Sequence, residues 1–303
     1  MISKAEDTTS RSVFAPLGIR SYRRLFTAQL FSDLGNWFDF IAIEALIVYH
    51  WGLGAGALAA FAITTGIPWI LVGPWLAVVV DRSSKKILMI MCCLLRIPFV
   101  IGFIFVPNLY VLLPLVFFKE ILDVIFDPAR QSYMRFVVPR DQLQEANMLS
   151  QFSMNGAKIL APTLGGIIVA AFDPQMVFIL EGIGFLLAFI ALLQLPKEKR
   201  KTERNQESGL FWNDFVNGIR YIQSNRILVF TIGSMTFSMF LIWFFDKLIV
   251  LWAKKLGMGI DDFGTLLSVI AVGSILGTFL VTPLRRRFEN PLAMIATVGL
   301  VGG

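Results

Sequence analysis

Charge is scarce in this sequence. Asp, Glu, Lys and Arg make up 16% of its 303 residues, against about 25% in a typical soluble domain. Histidine is nearly absent: His50 stands alone, at the end of an apolar run, and reads as an interfacial residue rather than a ligand. The two cysteines, Cys92 and Cys93, are adjacent inside another apolar run. Their spacing fits neither a metal-ligand pair nor a disulfide framework, so they read as buried filler. No nucleophile motif and no phosphate-cradling glycine loop is present. The sequence therefore argues for no enzyme, no metal and no cofactor. The start, M-I-S-K-A-E-D-T-T-S-R-S, is polar and lacks the short apolar core of a secretory signal peptide. The first apolar run must itself do the targeting.

What is there is hydrophobic mass in long pieces. Apolar residues make up 56% of the chain, Phe alone occurs 28 times, and the mean hydropathy is +0.71. A helix needs about 20 mostly apolar residues to cross a bilayer. Such runs lie at 24–49, 55–80, 87–106, 109–131, 144–171, 176–194, 227–252 and 262–282, and a further one begins near 291. The expected fold is an all-α membrane protein in three parts: a six-helix transmembrane bundle over 1–194, a basic linker over 195–225, and a partial second bundle over 226–303. Within the linker, Leu210, Phe211, Phe215, Ile219 and Ile222 recur at three- and four-residue spacing. That predicts an amphipathic helix lying along the membrane interface.

Lys and Arg placement gives the orientation. One side of the membrane receives 21 of the 27 basic residues, the other only Lys254 and Lys255. The N-terminus is therefore expected in the cytoplasm of a cell that holds the protein in its plasma membrane. Topology and anionic lipid account for the net charge of +6 without a nucleic-acid partner.

The informative residues are the charges inside the spans. The first span carries Asp33, Asn36, Asp39 and Glu44. Three acidic groups near a helix centre cost up to ~10 kcal/mol, and a dozen large apolar residues offset only ~6. Such a helix does not face lipid all round. Asp33, Asn36 and Glu44 fall within an arc of about 80°, and Asp39 widens it to about 140°. In the fourth span Lys119, Glu120, Asp123, Asp127 and Arg130 share an arc of about 100°. Lys119 and Glu120 sit ~15 Å from the span's start, near the bilayer midplane. Arg96 is similarly deep in the third span. Such groups mark a functional site by default. Asp33, Asn36, Asp39, Arg96, Lys119, Glu120 and Asp123 are expected along a central, water-accessible pathway. Asp127 and Arg130 read as a structural pair, and Glu181, Asp246 and Lys247 as gating or snorkelling groups at span ends.

Two motifs give the chain a family likeness. The loop G-P-W-L-A-V-V-V-D-R-S-S-K-K runs from Gly73 to Lys86 and delivers Asp81, Arg82, Lys85 and Lys86 at the basic side. It resembles the cytoplasmic loop signature of the major facilitator superfamily. The fifth span holds A-K-I-L-A-P-T-L-G-G, in which small residues permit close helix packing and Pro162 removes a backbone hydrogen bond. It resembles the bend motif of the superfamily's antiporters at Ala161, Pro162, Gly165 and Gly166, with Ala157 and Ala161 where glycines are usual. The stretches 22–38 and 126–147 are similar to the macrolide and siderophore exporter branch. An internal echo sets Gly277 eight residues before Arg285, as Gly73 stands before Asp81.

The resemblance implies a secondary transporter working by alternating access, with proton-coupled efflux of a small amphipathic organic solute. The expected partners are that solute, protons and membrane lipids, around a monomer. It also implies twelve spans, so the chain reads as truncated, without the eleventh span that Asp81 would meet. A lipid or lysolipid translocator and a non-transporting membrane remnant are the competing readings.

Overall fold

The computed structural model describes residues 13–172, 174–198 and 220–259, together with 262, 263, 265, 266, 269 and 270. Among them there is helix and no strand. A short 3-10 turn at Ala15–Gly18 leads into α1, Arg20–Ala45, which continues through a π-helical turn at Leu46–His50. The second span is one rod of three pieces: α2, Ala55–Ile67, a π turn at Pro68–Val72, and α3, Gly73–Arg82. Then come α4, Lys85–Ile104, α5, Leu109–Val137, α6, Leu143–Ala171, α7, Pro174–Leu193, and α8, Arg226–Lys255.

Local chemistry explains several boundaries. Asn108 opens α5 by accepting from the Val111 amide at 3.2 Å, and Asn225 opens α8 by accepting from Ile227 and Leu228. Each satisfies amides that have no partner within the helix. Gly52 makes the tight turn after the first span at φ +66°, where side chains are strained. Pro68 begins the π turn of the second span, as fits a residue that cannot donate to the helical ladder.

Seven expected spans are helices, with two differences. The fourth runs past residue 131 to Val137, so the expected basic loop shrinks to a 3-10 turn at Arg140–Gln142. At 29 residues, α5 is ~44 Å long, more than the ~30 Å of bilayer hydrocarbon. The seventh reaches Lys255, placing Lys254 and Lys255 on the helix rather than in a loop. Beyond residue 259 only six residues are described, all helical and all within the first part of the expected eighth span; the rest of that span and the ninth lie outside the described residues. So does the amphipathic linker segment, apart from a helical turn at 220–224.

α1 is the hub. It packs most extensively on α7 and α6, while α4 packs on α7 and α5, and α2 and α3 lie against α5. Two apolar clusters stack along the bundle. One, around Tyr22, Leu25, Met89, Tyr133 and Leu192, lies toward the basic end. The other, around Ile43, Phe61, Phe103, Val116 and Phe178, lies toward the opposite end. The outward surface is also apolar, with Ile70, Phe105, Tyr110 and Phe152 all more than two-thirds exposed. That surface requires lipid rather than water around it. By length and composition alone, Ala55–Leu76, Lys85–Ile104 and Gln175–Leu193 are the described stretches apolar enough to cross a membrane. α1 and α5 fall outside that set because they carry the intramembrane charges.

α8 meets the rest of the bundle near its C-terminal end. Val250 and Ala253 are buried there, whereas Ile227 and Phe230 are about three-quarters exposed. Lys254 Nζ donates to the Val48 carbonyl and lies 5.9 Å from the Tyr49 ring. The ammonium thus caps carbonyls at the end of the first span, where the helix dipole favours a cation.

Candidate functional site

A charged layer lies between the two apolar clusters, built from one face each of α1, α4, α5 and α7. Helical spacing puts Ser32, Asn36 and Asp39 on one side of α1, and Lys119 and Asp123 one turn apart on α5. Lys119 Nζ contacts Asp39 Oδ2 at 2.5 Å, Glu181 Oε1 at 3.2 Å and Asp123 Oδ2 at 3.8 Å, and donates to Asn36 Oδ1 at 3.2 Å. Arg96 Nη2 contacts Asp123 Oδ1 at 2.5 Å and donates to the Leu122 carbonyl at 3.2 Å, while Nη1 donates to Ser32 Oγ at 3.0 Å. Asn36 Nδ2 closes the ring by donating to Asp123 Oδ1 at 2.9 Å. The Arg96 guanidinium lies over the Phe126 and Phe185 rings at 4.6 and 5.2 Å. Cation–π contact of this kind is strongest in a dry site.

Six of the seven residues expected in the central pathway are thereby joined or adjoining: Asn36, Asp39, Arg96, Lys119 and Asp123 directly, and Glu120 by its place beside Lys119. Arg96, Lys119, Asp39 and Asp123 are all at most 6% exposed, packed among four helices. Glu120 is half-buried and turned toward the second span, where Trp69 Nε1 donates to its Oε2 at 3.0 Å. Since Trp69 is 46% exposed, Glu120 stands at the open side of the layer.

Asp33, the seventh, belongs to a second network nearer the basic end. Gln29 Nε2 and Ser153 Oγ donate to its Oδ2 at 3.0 and 2.8 Å. Arg130 Nη1 donates to Gln29 Oε1 and Ser150 Oγ at 2.7 and 2.6 Å. The predicted Asp127–Arg130 pair is present at 3.3 Å. This network ties α1, α5 and α6 together, and the amide of Gln29 is its connector.

Glu181 corrects an expectation. Placed by sequence near a span end, it is fully buried against Lys119. The span was expected to begin at 176, but the helix starts at Pro174, and the close approach of α7 to α1 carries Glu181 inward. The available signal was its being the sole ionisable residue of a very apolar span. Ser32, Gln29, Ser150 and Ser153 gave no signal of their own. The side chains of Asp246 and Lys247 lie outside the described residues.

The loop motif has a structural part. Lys85 Nζ donates to the carbonyls of Val80, Asp81 and Ser83 at 2.6, 2.8 and 3.0 Å, capping α3. Lys86 Nζ donates to those of Leu193 and Leu195 at 3.0 and 2.5 Å, capping α7. Asp81 and Arg82 are exposed. A Cβ at Gly73 would stand 3.6 Å from Val124 Cγ1, so the second span lies close to α5 there. In the bend motif, Ala161 is fully buried and a Cβ at Gly165 would lie 3.5 Å from the Phe38 ring. α6 is helical through position 162; the side chains of Pro162 and Gly166 lie outside the described residues. Among the described residues no group of His, Cys, Asp and Glu could hold a metal ion.

A family model described as a transmembrane secretion effector of the major facilitator type matches residues 11–301. An uncharacterised major facilitator-type transporter of Bacillus subtilis (strain 168), YfiS, is 25% identical over 68% of this chain and 50% of its own length. A second from the same organism, YkuC, is 23% identical over 89% of the chain and 66% of its own length. Macrolide efflux protein A of Enterococcus faecalis is 20% identical over 48% of the chain and 47% of its own length. The chain thus spans about half to two-thirds of the length of these relatives. In fold it is similar to a bacterial homologue of the human lysosomal transporter Spinster, in an inward-facing and unoccupied conformation (TM-score 0.64, 16% identity, 89% of this chain and 64% of that one). The nucleoside transporter NupG is similar to the same degree (TM-score 0.66, 13% identity, 89% of this chain and 69% of that one).

Proposed function

This chain belongs to the transmembrane secretion effector family of the major facilitator superfamily, and from that premise we propose that it is the larger part of a proton-coupled exporter of small amphipathic organic solutes. A multi-pass helical membrane protein with transporter relatives moves a solute by alternating access, two bundles rocking about a site near the midplane. The observation that carries the coupling is the buried charged layer. Its carboxylates exchange a proton while Arg96 and Lys119 hold the layer's geometry and compensate its charge. Asp33 and Glu120, each only partly buried, are the exchange points with water. Asp39 and Asp123 are the interior acids.

Solute chemistry is supported by α6. Gln144, Asn147, Gln151 and Asn155 line a shallow groove along one face, with Met148 and Phe152. Amides beside exposed apolar side chains suit a solute with hydrogen-bonding groups on an apolar body. The name of the macrolide efflux relative supports the same class and the outward direction.

Basic residues on the helix ends near Arg23, Lys86 and Arg140 favour the cytoplasm for that end and the N-terminus, in the cell membrane. The linker at 195–225 then joins the six-helix bundle to the second bundle on the cytoplasmic side. The protein acts as a monomer and needs no cofactor.

The test uses everted membrane vesicles containing the protein and a labelled macrolide as probe. Accumulation should follow an imposed pH gradient, acid inside, and collapse with a protonophore. Accumulation indifferent to the gradient would overturn the coupling, and no accumulation above control vesicles for any of a panel of amphipathic solutes would overturn the exporter reading.

A further inference from the structure

Glu181 is the residue of the charged layer for which the transport scheme above has no use, and its surroundings leave it in an unusual position. Five ionisable side chains form one connected cluster: Arg96 and Lys119 as cations, Asp39, Asp123 and Glu181 as acids. Two positive charges face three carboxyl groups. All five are at most 6% exposed, so solvent does not compensate the excess, and a lone ionised carboxylate in such an interior is strongly disfavoured.

The hydrogen bonds are shared unequally among the three acids. Asp123 has Arg96 at 2.5 Å and Asn36 at 2.9 Å. Asp39 has Lys119 at 2.5 Å. Glu181 has the far side of the same ammonium, 3.2 Å from Oε1, and its Oε2 accepts no hydrogen bond. Phe178 and Phe185, both buried, stand one turn away on either side along α7. Among the described residues no other charged group relieves it. From α1 it faces Asp39, with which it interacts directly. From α5 it faces Lys119 and Asp123. Arg96 of α4 is directed to Asp123. On α6, Lys158 lies over the Trp37 ring and Glu145 is on the first turn at the basic end. Glu120 is turned away to Trp69.

We infer that Glu181 is a proton-binding site of this protein, holding one proton as a neutral carboxylic acid whose O–H donates to the Asp39 carboxylate while Lys119 bridges the two. The proton adds to a Glu181 oxygen, forming one O–H bond, and the same bond breaks when the proton leaves; no other bond changes. With the proton bound, the layer carries two positive and two negative charges and every acid has a partner. When it leaves, Lys119 is shared between Asp39 and Glu181. Because Lys119 and Asp123 lie on α5 and Asp39 on α1, that sharing draws on the helices that any rocking of the bundle must move. The role in coupling rests on the transporter reading; the site itself does not.

Infrared absorption of the purified protein in lipid nanodiscs tests the site without a solute, the proton being the probe. A protonated carboxyl has a carbonyl stretch separate from that of carboxylate, and it shifts on exchange into heavy water. At neutral pH the wild type should show this band, and Glu181→Gln should lose that component. In Glu181→Asp the component should persist at a changed frequency. That variant keeps the charge count, so it decides the matter if Glu181→Gln does not fold. A band unchanged in Glu181→Gln or unmoved in Glu181→Asp, or absent from the wild type, overturns the site. Vesicles that fail to transport while the band behaves as stated overturn the exporter reading and leave the site standing.

Discussion

Gly35 and Glu181 meet across the interface of α1 and α7: a Cβ added at Gly35 would stand 3.2 Å from Glu181 Cγ. The missing side chain on α1 is what lets a carboxyl on α7 reach Lys119. One turn along, Gly184 approaches the Phe31 carbonyl in the same way, also at 3.2 Å. Small residues at such crossings are how helices pack closely in lipid. Gly35→Ala should destabilise the protein by about 1–3 kcal/mol, as overpacking does in a tight core, and should push Glu181 away from Lys119. Gly184→Ala should cost more, since backbone yields less than a side chain. Thermal unfolding in detergent gives the ranking, and equal stability of Gly35→Ala and wild type would contradict it.

The Arg96–Asp123 pair makes a second prediction. Arg96→Met leaves a buried carboxylate without its main partner, which costs about 3–5 kcal/mol. The double variant Arg96→Met/Asp123→Leu removes both charges and should recover more than half of the loss. Unfolding midpoints of the single and double variants check this. A double variant no more stable than the single one would mean that packing, not charge, sets the cost.

A third prediction concerns the end of the bundle opposite the basic one. Lys254 joins α8 to the end of the first span through the Val48 carbonyl. Lys254→Met removes the cap and should loosen that contact. Spin labels at positions 53 and 256 should show a distance distribution broadened toward longer values in the variant. An unchanged distribution would show that apolar packing around Val250 and Phe263 holds the ends together unaided.

Much of this was legible in the chain. Seven helices lie where the apolar runs put them, because span length is set by bilayer thickness. The acids of α1 and the charges of α5 fall on single faces, and the periodicity alone reveals that. What a helical wheel gives is a face, not a partner. It could not show that Asp33 belongs with Gln29 and Ser153 while Asp39, six residues on, belongs with Lys119. Glu181 was misplaced because its depth depends on where α7 begins and how closely it crosses α1, and Gly35 settles the second point only once the two helices are packed. The π turns at Leu46–His50 and Pro68–Val72 also left no readable pattern, since they arise from how neighbouring helices meet. The lysines of the loop motif were read as charge and topology, and their capping of α3 and α7 emerged from geometry.

The proposed proton-coupled export runs through Asp33 in the network nearer the basic end and Glu120 at the open side of the charged layer. Macrolide accumulation in everted vesicles, driven by an imposed pH gradient, should fall at least about tenfold in Asp33→Asn and in Glu120→Gln, equivalent to about 1.4 kcal/mol or more, at matched protein levels. Gradient-driven accumulation at the wild-type rate in both variants would contradict it.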